Sequence, residues 1–389
     1  MTEQQNTPEL RFPEFNGEWQ LNKLENIASF SKGKSLSKKD LNHEGEPCIL
    51  YGELYTRYGS ILKSAYSKTS IDNSSLVYSK KNQVLIPSSG ETDIDIATAT
   101  CIDTNENIII GGDLNILTPT NTDGRFISLY INGKGKYNLA RYAQGKTVVH
   151  LYNSDIKKLK LMLPFDIKEQ NKIGDFFSKL DRQIELEEDK LELLEQQKKG
   201  YMQKIFSQEL RFKDENGEVH PGWKLKKLND IANVYQPQNL SQNKFQEKGY
   251  PVYGANGVIG YYKDFNHNDT EIAIACRGNT CGRVNLTEPK SWITSNAMVV
   301  NILDKKETEF YFLYQYLRII NYDNVISGSG QPQITRKNMN SIELLMPNYV
   351  EQQKIGNFLV KIDELILRQD KKIELLKQRK QGLLQKMFI

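Results

Sequence analysis

Cysteine and histidine are both scarce in this chain, four of each in 389 residues. Cys48, Cys101, Cys276 and Cys281 form no CxxC pair, and His43, His150, His220 and His267 stand at no metal-ligand spacing from them. That argues against a structural zinc site or a disulfide framework. There is no run of roughly 18 apolar residues that could cross a membrane. The opening MTEQQNTPELRF also lacks the apolar core of a secretory signal, so the expected compartment is the cytoplasm. None of the twelve prolines is followed by another, which removes the NPPY-like loop that an adenine-flipping methyltransferase stacks on its base. QGKT at 144–147 is similar to the end of a phosphate-binding loop, but the leading glycine would fall at Ala140. Asp269 with EPK at 288–290 mimics a nuclease metal site without further acidic company. Both are expected to be surface or DNA-facing loops. The net charge of +4 is too small to decide for or against a nucleic-acid partner.

What the chain does contain is a near copy of itself. EQNKIGDFFSKLDRQIELEEDKLELLEQQKKGYMQKIF at 169–206 aligns without gaps to EQQKIGNFLVKIDELILRQDKKIELLKQRKQGLLQKMF at 351–388, with 19 of 38 positions identical. A short apolar stretch ending in proline precedes each copy, LMLP at 161–164 and LLMP at 344–347. A second repeated block opens each half. ELRF at 9–12 recurs at 209–212, followed by a tryptophan, Trp19 or Trp223, and then by Leu24, Ile27, Ala28 or Leu228, Ile231, Ala232. The order is therefore opener, variable region, helix, twice over.

The repeated segments lack internal proline and carry apolar residues three and four apart, which predicts long helices. One heptad seam runs Leu180, Ile184, Glu187, Leu191, Leu194, Lys198, Tyr201, Ile205, and its copy runs Ile362, Ile366, Gln369, Ile373, Leu376, Lys380, Leu383, Met387. Both seams are interrupted at matching places, Glu187 with Gln369 and Lys198 with Lys380, which predicts that the helices pack on each other. A pseudo-two-fold axis would run them antiparallel, with Leu180 opposite Met387. The acidic middle of the first copy (Glu185, Glu187, Glu188, Glu192, Glu195) would then face the basic middle of the second (Lys371, Lys372, Lys377, Arg379, Lys380). A strut from 180 to 205 would measure roughly 39 Å at 1.5 Å per residue, about one turn of B-DNA.

The regions between openers and helices share little and are rich in Gly, Asn, Ser, Tyr and short β-branched runs such as NIIIGG at 107–112 and EIAIACRG at 271–278. They predict irregular, mostly β heads. The whole is expected to be an α/β (α+β) protein with heads at 9–160 and 208–343 and helical repeats at 161–207 and 344–389. Laid out in this way, the chain resembles the specificity (S) subunit of Type I restriction-modification systems. Besides the repeat order, ELRFPEFNGEW, YGELYTRYG at 51–59, the stretch from Pro251 to Tyr262, IACRGNTCGRV at 274–284, TSNAMVV at 294–300 and SGSGQPQIT at 327–335 are similar to that family. The resemblance implies a non-catalytic subunit in which each head recognises one half of a bipartite double-stranded DNA site. It implies helices that space the heads and dock two methyltransferase (M) subunits, with restriction (R) subunits added. S-adenosylmethionine, ATP and Mg would serve those partners, and no cofactor or metal would be held by this chain. Two other classes remain open: the recognition subunit of a related bipartite Type II-like system, and a coiled-coil adaptor whose heads bind protein.

Candidate DNA contacts follow from residue chemistry. Arg277, Asn279 and Arg283 belong to a Gly-containing loop after an apolar strand, where arginine can fork onto phosphate or guanine. Gln331 and Gln333 of SGSGQPQIT could read adenine in a bidentate manner. Counting back from the prolines at 347 and 164 aligns Gly328, Gly330, Gln331 and Gln333 with Gly145, Thr147, Val148 and His150. In the first head the candidates are Tyr55, Arg57, Tyr58, Lys146 and Thr147; a solvated turn or packed tyrosines are the plain alternative.

Overall fold

A computed structural model describes residues 6–34, 36–71, 75–328 and 330–389. The first five residues, on which the missing secretory core was partly judged, and Ser329 of SGSGQPQIT lie outside the described residues. The chain divides into two compact units, Met1–Glu188 with Lys371–Ile389, and Asp189–Asp370. Each contains sheets, short helices and a segment of both long helices, and the two follow one plan.

In the first unit the strand Gln20–Lys23 pairs antiparallel with Lys160–Leu163. In the second, Lys224–Lys227 pairs in the same way with Glu343–Met346. This accounts for the apolar stretches before the prolines: Leu161 and Leu163, like Leu344 and Met346, are buried at the period of two that turns alternate side chains to one face. The main sheet of the first unit has the order Ala28–Lys32, Leu114–Pro119, Val84–Pro87, Thr100–Ile102, Ile61–Leu62. That of the second is Ala232–Tyr235, Ala297–Ile302, Ile272–Ala275, Val284–Leu286. Helices Gly124–Asn132 and Phe310–Ile319 supply the fully buried Phe126 and Phe312.

The openers act as clamps. Arg11 donates through Nε and Nη2 to the two oxygens of Glu169 at 2.7 and 2.8 Å, and Trp19 Nε1 donates to the same carboxylate at 3.4 Å. The copy is complete: Arg211 reaches Glu351 at 2.7 and 2.8 Å, with Trp223 Nε1 at 3.2 Å. The next residue repeats too. Gln170 accepts from the Asp123 amide and donates to the Pro164 carbonyl, as Gln352 does with Glu309 and Pro347. Each EQ pair thus fixes an opener, the head's central helix and the preceding proline turn to the first turn of a long helix.

The long helices span Ile167–Phe206 and Tyr349–Lys386. Asp166 and Asn348 accept amides of their first turns, from Lys168 and Glu351, which satisfies N–H groups that have no partner within the helix. The first helix stops where Gln208 adopts a left-handed φ of 64°, a conformation that closes helix ends. Within the first unit the two helices run antiparallel, with Lys380–Asp181, Lys372–Glu187 and Lys377–Glu188 ion pairs at 2.5, 2.5 and 2.6 Å. Leu180, Ile184, Leu384 and Met387 share one core there. In the second unit Lys198 pairs with Asp363 at 2.5 Å and Tyr201 packs edge-on against Phe358. Lys198 and Lys380 are therefore symmetry-matched, each answering an aspartate at the matching place in the other helix. Burial holds the Lys198 ammonium below its ordinary pKa against the pull of Asp363.

Of the five basic residues expected to face the acidic middle, Lys372 and Lys377 thus meet acids of that set, and Lys380 meets Asp181 just before it. Changing Lys372, Lys377 and Lys380 to glutamate should lower the melting temperature by a few degrees. Each pair, at least partly solvated and screened, contributes only about 0.3–1 kcal/mol before like-charge repulsion is added. The drop should shrink in high salt, and an unchanged melt at low salt would count against these pairings.

The far ends of the sequence meet inside the first unit. Leu10 N donates to Lys386 O at 2.9 Å, and Lys386 Nζ pairs with Glu9 at 2.7 Å. In the second unit Leu210 N donates to Lys204 O at 2.9 Å, a link that is local in sequence. A permutant joining Ile389 to Thr7 by a short linker and reopened near Gln208 should therefore fold, melting within about 5 °C of the parent. Collapse of its melting transition would show that the Leu10–Lys386 contact does not copy the Leu210–Lys204 one.

Candidate nucleic-acid interface

In the second unit the strand Ile272–Ala275 runs out into the loop that carries Arg277, Asn279 and Arg283. Gly278 takes a left-handed φ of 80° and Gly282 one of 89°, which lets Cys281 N and Gly282 N donate back to Gly278 O and Ala275 O. A side chain at 282 would meet Tyr322 at 3.0 Å. The SGSGQPQIT segment closes against this loop. Arg277 bridges Gln333, Gly278 N donates to Pro332 O at 3.0 Å and Ile334 N to Cys276 O at 3.0 Å. Two candidate sets more than 50 residues apart in sequence are thereby brought to one place: Arg277, Asn279, Gln331 and Gln333. Arg277, Asn279 and Gln331 are exposed and Gln333 half-buried, so the loop can present guanidinium and amide groups outward. Arg283, at the other end of the turn, lines a cleft with Tyr253, Tyr314 and Arg318.

In the first unit Lys146 and Thr147 are exposed on a turn closed by reciprocal bonds between Gln144 and His150, at 2.9 and 2.7 Å. Gly145 there has φ 127°, and a Cβ would strike Val148 O. This turn lies against Ser89–Gly90, which pairs antiparallel with Val149–His150. The YGELYTRYG segment forms the helix Tyr51–Thr56, which packs beside Ser89–Gly90. Arg57, its C-cap, is exposed and pairs with Glu53 at 3.5 Å. Tyr58 is the inward member: its hydroxyl accepts from Tyr66 N at 2.8 Å, it stacks on Tyr66, and burial pushes its phenol up. Tyr55 is half-buried, its phenol likewise raised by burial. Ser89 gave no sequence signal, because SSGE is an ordinary turn. Only strand register finds it.

All four thiols are raised by burial, Cys48 to about 11, where they are poor nucleophiles. No group of three or more His, Cys, Asp or Glu fit to hold a metal occurs among the described residues, and none of their helices is long and apolar enough to cross a membrane.

Comparison with known proteins agrees with this architecture. A family model, the Type I restriction modification DNA specificity domain, matches twice, over residues 16–196 and 221–378. The Type I restriction enzyme EcoprrI specificity subunit of Escherichia coli is 27% identical over 161 residues, 40% of this chain and 39% of that protein. The Type I restriction enzyme MjaVIII specificity subunit of Methanocaldococcus jannaschii is 21% identical over 414 positions, covering 96% and 92%. Among solved structures, the Type I restriction-modification S subunit of M. genitalium superposes with a TM-score of 0.70 at 20% identity, over 98% of this chain and 99% of that one. With both halves matched by one model and the same fold from end to end, the chain belongs to the Type I restriction-modification DNA specificity family, as a non-catalytic specificity subunit.

Proposed function

We propose that the two heads, residues 9–160 and 208–343, each read one half of an asymmetric bipartite DNA site, and that the helical repeats at 161–207 and 344–389 set their spacing. The repeats would also dock two methyltransferase subunits, to which restriction subunits add. S-adenosylmethionine, ATP and Mg would be bound by those partners, in the cytoplasm. The observation that carries this reading is the duplicated frame with unlike loops. The clamp is repeated residue by residue and the long helix at 19 of 38 positions, while the loops at 277–283 and 327–334 carry Arg277, Asn279, Gln331 and Gln333 where the first head carries other side chains. Arg57, Lys146, Thr147 and Arg283 are assigned to phosphate or base contact, with Tyr55 beside them. Tyr58 would support that surface from within. A gel shift with the methyltransferase partner at several salt concentrations tests it. Affinity should fall steeply with salt, by about one log unit per log unit of salt for each phosphate neutralised. Salt-independent binding, or no preference for any methylated duplex, would overturn the assignment.

A further inference from the structure

Strand register makes the two heads comparable where their sequences are not. Ala28–Lys32 pairs with Leu114–Pro119 so that Ala28 faces Pro119, and Ala232–Tyr235 pairs with Ala297–Ile302 so that Ala232 faces Ile302. The next strands register as Val84 on Leu117 and Pro87 on Leu114, against Ile272 on Val300 and Ala275 on Ala297. Pro119 and Ile302, Leu117 and Val300, and Leu114 and Ala297 are then equivalent, and so are Pro87 and Ala275. Two residues on, Ser89 falls where the second head has Arg277. A second, independent connection agrees. Leu151 N donates to Ser88 O at 3.1 Å, as Ile334 N donates to Cys276 O at 3.0 Å, and both Leu151 and Ile334 are fully buried. This makes His150 the counterpart of Gln333, and the bridges match: Ser89 with His150, Arg277 with Gln333. The turns also match, with Gly145 and Gly328 both at positive φ and each blocked by the carbonyl of the third residue after it, Val148 or Gln331.

We infer that Ser89 and His150 are the specificity-determining pair of the first head, at the place that Arg277 and Gln333 occupy in the second, and that they act on the edge of one base pair. The inference rests on the DNA-reading function proposed above. Ser89 Oγ and His150 Nδ1 lie 3.2 Å apart, and the imidazole stacks near Tyr152 at 6.2 Å and 24°. The hydroxyl and Tyr152 fix the ring. Its Nε2 has no hydrogen bond among the described residues and remains for a base. When Ser89 donates to Nδ1, Nε2 is a donor suited to guanine O6 or N7 or to thymine O4. When Nδ1 carries the proton, Nε2 accepts from adenine N6 or cytosine N4. An arginine and glutamine pair in the other head presents longer, multidentate donors at the same place, which is how one frame would serve two different half-sites.

The test is the methylated motif, determined by sequencing modified bases in DNA treated with the subunit assembled with its methyltransferase. His150→Gln and Ser89→Ala should each relax or change one position in one half of the motif by roughly five- to a hundredfold, leaving the other half and the spacing intact. Gln333→His should do the same in the opposite half only. Unchanged motifs for His150→Gln and Ser89→Ala would overturn the inference. A uniform loss of affinity across all sequences would also overturn it, because that is the signature of a phosphate contact. If the unsubstituted complex itself yields no bipartite motif, it is the proposed function that fails. Circular dichroism of each variant guards against misfolding, and Ser89→Ala, which removes one oxygen, keeps the test open if a His150 variant does not fold.

Discussion

Replacing Glu351 with alanine is expected to destabilise the second head by roughly 3–5 kcal/mol, among the largest effects of any single polar substitution in the chain. The carboxylate is fully buried and takes both Arg211 nitrogens together with Trp223 Nε1, while the Arg211 side chain is itself 17% exposed. Removing the acid leaves the indole N–H without this acceptor and the guanidinium with only the His220 and Pro221 carbonyls, its charge unanswered in a site largely closed to water, and an uncompensated buried charge costs more than the pair contributes when whole. The position adds to this, because Glu351 lies in the first turn of the helix, where the backbone dipole favours a negative group. Glu351→Gln keeps the shape and should lose less. Combining Arg211→Ala with Glu351→Ala should recover part of the single-variant loss, as a double-mutant cycle would detect. Glu169→Ala should reproduce the effect in the first head. Urea denaturation followed by tryptophan fluorescence measures it, and a loss below about 1 kcal/mol for both variants would show that the clamps do not hold the openers.

These clamps show how much of the molecule the sequence made legible. The repeat exposed Arg11 and Arg211, Trp19 and Trp223, Glu169 and Glu351 as recurring residues, because duplicated contacts keep both of their ends. It did not expose that they touch, since partners 128 to 158 residues apart leave no local period. The antiparallel pairing of the helices was legible for a different reason. Matching interruptions of the two apolar seams at Lys198 and Lys380 pointed to mutual packing, and the acidic middle of one helix set against the basic middle of the other supported the antiparallel direction; the aspartates that answer the two lysines, Asp363 and Asp181, came only with the structure. Least legible was the loop surface. Arg277 and Gln333 could be proposed separately from their chemistry, but their meeting depends on the bridge between two loops. Tyr58 was chosen as an aromatic in a polar segment, and nothing in its sequence neighbourhood signals that its hydroxyl accepts from Tyr66 N. Side-chain type marks which groups could face a ligand, whereas their burial depends on contacts distant in sequence.

Phe388→Ala is expected to unfold the first head selectively, although the residue lies at the opposite end of the sequence. The ring is 2% exposed and packs against Phe126 at 4.9 Å and against Trp19, Phe177 and Tyr130 at 6.3, 6.3 and 6.4 Å. Its counterpart Phe206 occupies the same niche in the second head, against Trp223, Phe312 and Tyr316. Truncating a buried phenylalanine costs about 3–5 kcal/mol, from lost transfer energy and the cavity left behind, and aromatic pairing adds to that. The cavity opens among residues of the sheet and helix that position Ser89 and His150, so the loss should appear there first. Hydrogen exchange provides the readout. Phe388→Ala should release protection in the strand at 84–87 and leave the strand at 272–275 protected, and Phe206→Ala should do the reverse. In the methylated motif the first variant should blur one half and the second the other. Loss of protection in both strands from either variant would mean that the two heads do not stand on separate aromatic anchors.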